Sequence, residues 1–158
     1  DLEEQHALLL RIRDKLSETH DAVSRVRSLR GQLREWSSRA SANAGWETVS
    51  ESAGRVTEKL SAVEEELVQV GYVVEDTNVD RLSLPSRLSR KLAELASVPA
   101  SADSAPTRAA YQVFDDLSAR IDVQLRRLDH IVDTDLAEFV NLLHEMEIPA
   151  VVPDQAAW

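Results

Sequence analysis

The 158-residue chain has no cysteine, so disulfides and thiolate metal sites are excluded, although the absence leaves the compartment open. Aromatic residues make up only 4% of it, which leaves a core to be built from Leu, Val, Ile and Ala, a composition that favours helices over a β-sandwich. Four glycines and five prolines are little material for tight turns, and they point to few, long elements. No run approaches the 18 or so apolar residues a membrane span requires. The excess of one sign of charge is the opposite of what nucleic acid needs. With a net charge of -10, the chain is repelled by phosphate.

What is present is helical periodicity. From residue 2 to about 41, Leu9, Ile12, Leu16, Val23, Val26, Leu33, Trp36 and Ala40 recur at steps of three, four or seven. Thr19 and Arg30 fill the two skipped positions. About 40 residues of helix would span roughly 60 Å. Gly31 is its weak point, and Asn43 and Gly45 are helix-ending residues. From about Glu47, the residues Val49, Ala53, Val56, Leu60, Val63, Leu67 and Val70 form the cleanest heptad of the chain. Thr48 and Glu51 have capping-box spacing. Glu64, Glu65 and Glu66 are assigned to the solvated face.

The period fails over residues 71–83, where Gly71, Asp76, Asn78 and Asp80 are turn formers. Pro85 opens a short helix with Leu84, Leu88, Leu92 and Leu95 on its buried side, ending near Pro99. After a small-residue loop, Asp103 or Ser104 is placed to cap a last helix with Pro106 in its first turn. That helix runs over about 106–147. Its stripe passes through Tyr111, Phe114, Leu117, Ile121, Leu125, Leu128 and Val132 to Leu136, Phe139, Leu143 and Met146. The steps 128, 132, 136 are a stutter that locally unwinds a supercoil.

These lengths predict an all-α fold. It is an antiparallel up-down-up bundle of three long helices, with the middle strut broken into two helices at about 47–71 and 84–97. Residues 1–148 form the helical domain and 149–158 a C-terminal tail. Residues 1–41 carry a charge of +1, 46–71 carry -4 and 106–147 carry -5, so the first helix can lie against two acidic neighbours. The chain opens on Asp1 and enters helical pattern at once, which reads as a mature or excised fragment.

The chemistry-bearing residue types do not assemble into a site. His6, His20, His130 and His144 all fall in helical pattern, away from any strand-to-helix elbow. Bundle metal sites repeat Glu-x-x-His pairs on facing helices, and no such repeated set is present. Asp129, His130 and Asp133, and His144 with Glu147, have one-turn spacing but read as solvent-facing residues. Paired carboxylates lack the flanking aromatics that would hold a sugar. The Arg25–Arg34 run reads as salt-bridging to acidic helices rather than as an anion patch. The acid-rich polar faces argue against anionic membranes. Trp36 is assigned to the core. Trp46, Tyr72 and Trp158, in loops and at a terminus, are candidate contacts for a partner protein. No catalytic, cofactor, metal or small-molecule site is expected.

Three stretches, RIRDKLSETHDAVSRVRSLRGQL, LSLPSRLSRKLAEL and SADSAPTRAAYQVFDDLSARID, occur in order. Together they resemble the C-terminal helical region of large bacterial β-propeller proteins with sortilin-like or BNR repeats, often labelled glycosyl hydrolases. The resemblance spans nearly the whole chain, but its motifs are packing and turn motifs. It implies a non-catalytic accessory region beside one or two propellers, a periplasmic or extracellular setting, and docking to the propeller, to a second copy or to another protein. Any catalytic label belongs to the propellers, and no family catalytic residue maps here. The chain departs from the family near 71–83, where Tyr72-Val73-Val74 is more apolar and Ser83 replaces an Asn. Three alternatives stay open: a hydrolase region that completes a site in the propeller, a metal-binding bundle, and a coiled-coil oligomeriser using the 49–70 heptad.

Overall fold

The computed structural model describes residues 2–68, 87–100 and 105–148, and these are helical with short connections. Helix α1 spans Leu2–Ala40, α2 Trp46–Leu67, α3 Leu88–Ala100 and α4 Arg108–His130. A π-helical segment over Ile131–Leu136 joins α4 without a break to α5, Ala137–Glu145. The fold is all-α, as the periodicity predicts. Val70, the whole 71–83 break, Leu84, Pro85, Asp103, Ser104 and the tail lie outside the described residues.

Cross-helix pairs give the direction of each strut. Arg27 of α1 meets Glu64 of α2, and the turn at 41–45 joins the two, so α2 returns antiparallel along the second half of α1. Gln5 near the start of α1 donates its side-chain amide to the Pro99 carbonyl at the end of α3, so α3 is antiparallel along the first half. Arg11, Lys15 and Arg25 reach Asp115, Asp122 and Asp129 in turn, so α4 runs parallel to α1. The middle strut is therefore two helices end to end, between two long outer ones.

The heptad of α2 points inward along its whole described length, from Val49 to Leu67. Leu88, Leu92 and Leu95 do the same for α3. In α1 the stripe starts one residue earlier than the sequence suggests, with Leu8 fully buried and Leu9 half-buried. Thr19, at a skipped position, is completely buried. Its hydroxyl donates to the Lys15 carbonyl at 2.8 Å, which removes the cost of a lone buried polar group.

Glu64 corrects its assignment to the solvated face, being only 1% exposed. It follows Leu60 by one turn and lies under α1, where Arg27 Nε donates to it at 2.7 Å and Arg30 Nη2 bonds its other oxygen. Arg30 also donates to Ser61 Oγ at 3.0 Å. Desolvating a carboxylate is tolerable only with such direct, multiple donors. Of the rest of the arginine run, Arg25 pairs with Asp129 as expected, whereas Arg34 makes no ion pair among the described residues.

Helix ends differ from expectation in two places. The Thr48–Glu51 capping box is not the start of α2, which begins at Trp46 after Gly45. Gly45 holds φ 81°, a left-handed conformation that glycine adopts without a Cβ clash, and it ends the 41–45 turn in which the chain reverses. The cap of α4 is Thr107, whose Oγ1 accepts the Ala110 N–H at 3.2 Å. Pro106 precedes that helix rather than sitting in its first turn.

The stutter coincides with the π segment. Each four-residue step overshoots an α-helical turn by about 40°, so two of them would carry the stripe off the core. A wider turn absorbs the excess. It also buries Ile131, while Val132, the residue expected in the stripe, is half-buried.

Replacing Glu64 with Gln should lower the unfolding free energy by about 1.5–3 kcal/mol, the range for hydrogen bonds to a charged group, in a urea titration. For Lys15, burial opposes the charge, but hydrogen bonds to Asp122 and Glu18 at 2.8 and 3.0 Å outweigh it and hold the ammonium above its ordinary 10.5. A raised pKa stabilises the fold fully below the unfolded value and ceases to do so as pH climbs through the folded one. The stability gap between wild type and Lys15→Met should therefore be flat near neutrality and shrink only above about pH 10.5, when urea midpoints are compared across that range.

Candidate docking trough

The two halves of the molecule are built differently. Around the first half of α1, helices α1, α3 and α4 all pack on one another and close a three-helix core. Around the second half, α2 packs against α1 on one side and against the π segment and α5 on the other. The remaining pair does not close: no Cα of α5 or of the π segment comes within 8 Å of an α1 Cα. Helices packed directly have axes about 8–10 Å apart, which brings some Cα pairs nearer than that.

The gap between α1 and α5 is a trough of about 330 Å³. One bank is α1, with Leu29, Gln32, Leu33 and Trp36. The other is the last helix, with Leu136, Phe139, Val140, Leu143 and His144, and Ile148 closes one end. Phe139 and Leu33 belong to the buried core and form the floor, whereas Val140 is 40% exposed on the rim. Trp36 is thus not simply core as expected. It is half-buried, lines the trough and has the Arg39 guanidinium over its ring at 4.8 Å. Spacings of 29, 33, 36 and of 136, 140, 143 put each set on one helix face, a signal present in the sequence but indistinguishable there from core. Other depressions, such as that beside Leu9, Ile12 and Ala96, are open surface grooves.

Trp46 is 42% exposed at the first turn of α2. Its neighbour Gly45 lies so that an added Cβ would meet the Met146 methyl at 3.4 Å, which places Trp46 at the same end of the bundle as the trough. Tyr72 and Trp158, the other two candidate contacts, lie outside the described residues.

Charge along the last helix is one-sided beyond Arg127. The sequence has no Lys or Arg after Arg127, and between 128 and 148 it has six carboxylates. Asp129 pairs with Arg25, and Asp135 with Lys59. Asp133, Glu138, Glu145 and Glu147 make no ion pair among the described residues.

The histidines are dispersed and exposed, and among the described residues none hydrogen-bonds to a serine or a carboxylate. The one Glu-x-x-His step, Glu3 to His6, is exposed at the start of α1. Among the described residues no three His, Asp or Glu side chains converge on a possible metal position, and no helix is long and apolar enough to cross a membrane. No family model, curated protein or solved structure matches the chain.

Exposure separates the two aromatic positions energetically. Phe139→Ala should cost about 3–5 kcal/mol and Trp46→Ala less than about 1 kcal/mol in chemical unfolding, because only the first empties packed space.

Proposed function

We propose that the chain is a non-catalytic accessory helical domain that docks to protein, part of a larger exported polypeptide carrying β-propellers. The observation that carries the docking half of this reading is the trough. An apolar, aromatic-lined depression at the end of the bundle that also exposes Trp46 has the composition of an interaction hot spot, rich in Trp and ringed by polar residues. The propeller half rests on the resemblance of the three ordered sequence stretches, and with it the periplasmic or extracellular setting.

Self-assembly through a coiled coil is the less favoured reading, for a specific reason. The heptad from Val49 to Leu67 is spent on the chain's own core, so it offers no seam to a second copy.

Two measurements test the proposal. Light scattering with small-angle X-ray scattering should find a monomer near 17.6 kDa, about 60 Å long. The coding sequence around this segment should encode repeated four-stranded blades. A stable oligomer overturns the docking assignment in favour of self-assembly, and a coding region without blades overturns the propeller assignment.

A further inference from the structure

The trough is a bundle with one helix missing. α2 has a neighbour on each side, the first half of the molecule closes with three mutually packed helices, and among the described residues no helix lies over the α1–α5 face of the second half. Two nearly parallel apolar banks with a gap between them suit a helix lying along the groove, in which anchors at i, i+3 or i+4 and i+7 descend between the banks. The trough runs from Leu29 to Trp36 on one bank and from Leu136 to Leu143 on the other, about 11 Å of helix rise, or two turns. Two or three anchoring side chains fill that length.

The electrostatics select among occupants. Asp133 and Glu147 continue the 136, 140, 143 spacing of the last-helix bank and make no ion pair among the described residues, whereas Glu138 and Glu145 fall on the opposite helix face. On the α1 bank, Arg39 is stacked on Trp36. A second copy of the chain, at net charge -10, would bring like charge to this rim. A helix with an apolar stripe flanked by Lys and Arg meets both the floor and the rim.

We infer that the α1–α5 trough is a receptor groove for a basic amphipathic helix of a partner protein, with Trp36 as a wall and Phe139 in the floor beneath its apolar anchors. The inference rests on the docking reading above and names the chemistry of the partner. The basic flanks steer encounter and set the salt dependence, while the anchors supply the hold.

The test uses the full chain and an 18-residue peptide of leucine and lysine arranged as an amphipathic helix. Two controls accompany it: the same residues in scrambled order, and a leucine–glutamate peptide of the same pattern. Binding is followed by titration calorimetry and by methyl NMR shifts. The amphipathic lysine peptide should bind at least tenfold tighter than the scrambled one, and the glutamate peptide should not bind. Shifts should concentrate at Leu29, Leu33, Val140 and Leu143. Val140→Arg, a rim change that leaves the core intact, should weaken binding at least tenfold, whereas Val113→Arg on exposed α4 surface should not. Equal binding of the scrambled peptide, shifts elsewhere, or an indifferent Val140→Arg overturns the inference. So do nuclear Overhauser contacts from Val151 or Val152 to Phe139 in the free chain, which would assign the trough to the chain's own tail. A dimer that Val140→Arg dissolves would assign it to a second copy. None of the peptide results bears on the propeller assignment, which the flanking coding sequence decides.

Discussion

The buried carboxylate of Glu64 sets the geometry of the second half of the molecule. Two guanidiniums one turn apart on α1, Arg27 and Arg30, converge on it, and Ser61 takes a further bond from Arg30. Apolar stripes alone tolerate sliding, because Val and Leu knobs fit several holes nearly as well. A charge removed from water does not, since displacement by a turn would strand it without donors. This contact therefore fixes where α2 lies along α1. Everything beyond follows from that position, because the π segment and α5 rest on α2 and not on α1.

The first half has a different logic. There α1, α3 and α4 touch pairwise around buried apolar side chains such as Ile12, Leu92 and Phe114, and the charged contacts Arg11–Asp115 and Lys15–Asp122 lie at its margin. Most of these pairs are exposed and each adds at most about 1 kcal/mol, so they bias which helix faces which rather than hold the assembly. The change from a closed to an open cross-section falls where α4 becomes the π segment. Beyond that point the last helix no longer packs on α1 or α3 and rests on α2.

Helix number, order and buried faces were legible in the sequence because each helix buries one stripe and the period of a stripe survives local exceptions. Val49 to Leu67 and Leu88 to Leu95 are buried as their spacing requires. The exceptions share a cause: residue type says what a side chain prefers, not what its neighbours supply. Glu64 reads as solvated until Arg27 and Arg30 are seen to face it, and their three-residue spacing was the only hint. Thr19 reads as a gap because its bond to Lys15 is local and costs no partner. The trough was illegible for a deeper reason. An apolar residue that meets a neighbouring helix and one that meets a vacancy have the same sequence pattern, and the difference lies in which pairs of helices touch.

The π segment has a further consequence. A wide turn interrupts the regular ladder of backbone bonds at the boundary between the closed half and the open one. Opening of the last helix can thus stop there, because among the described helices the residues beyond it lean on α2 alone while those before it are enclosed by α1, α2 and α3. The molecule is divided into a base and a cantilever that share one continuous α1. With less packing to lose, α5 costs less to open locally than α4, and such opening leaves the packing of the base in place.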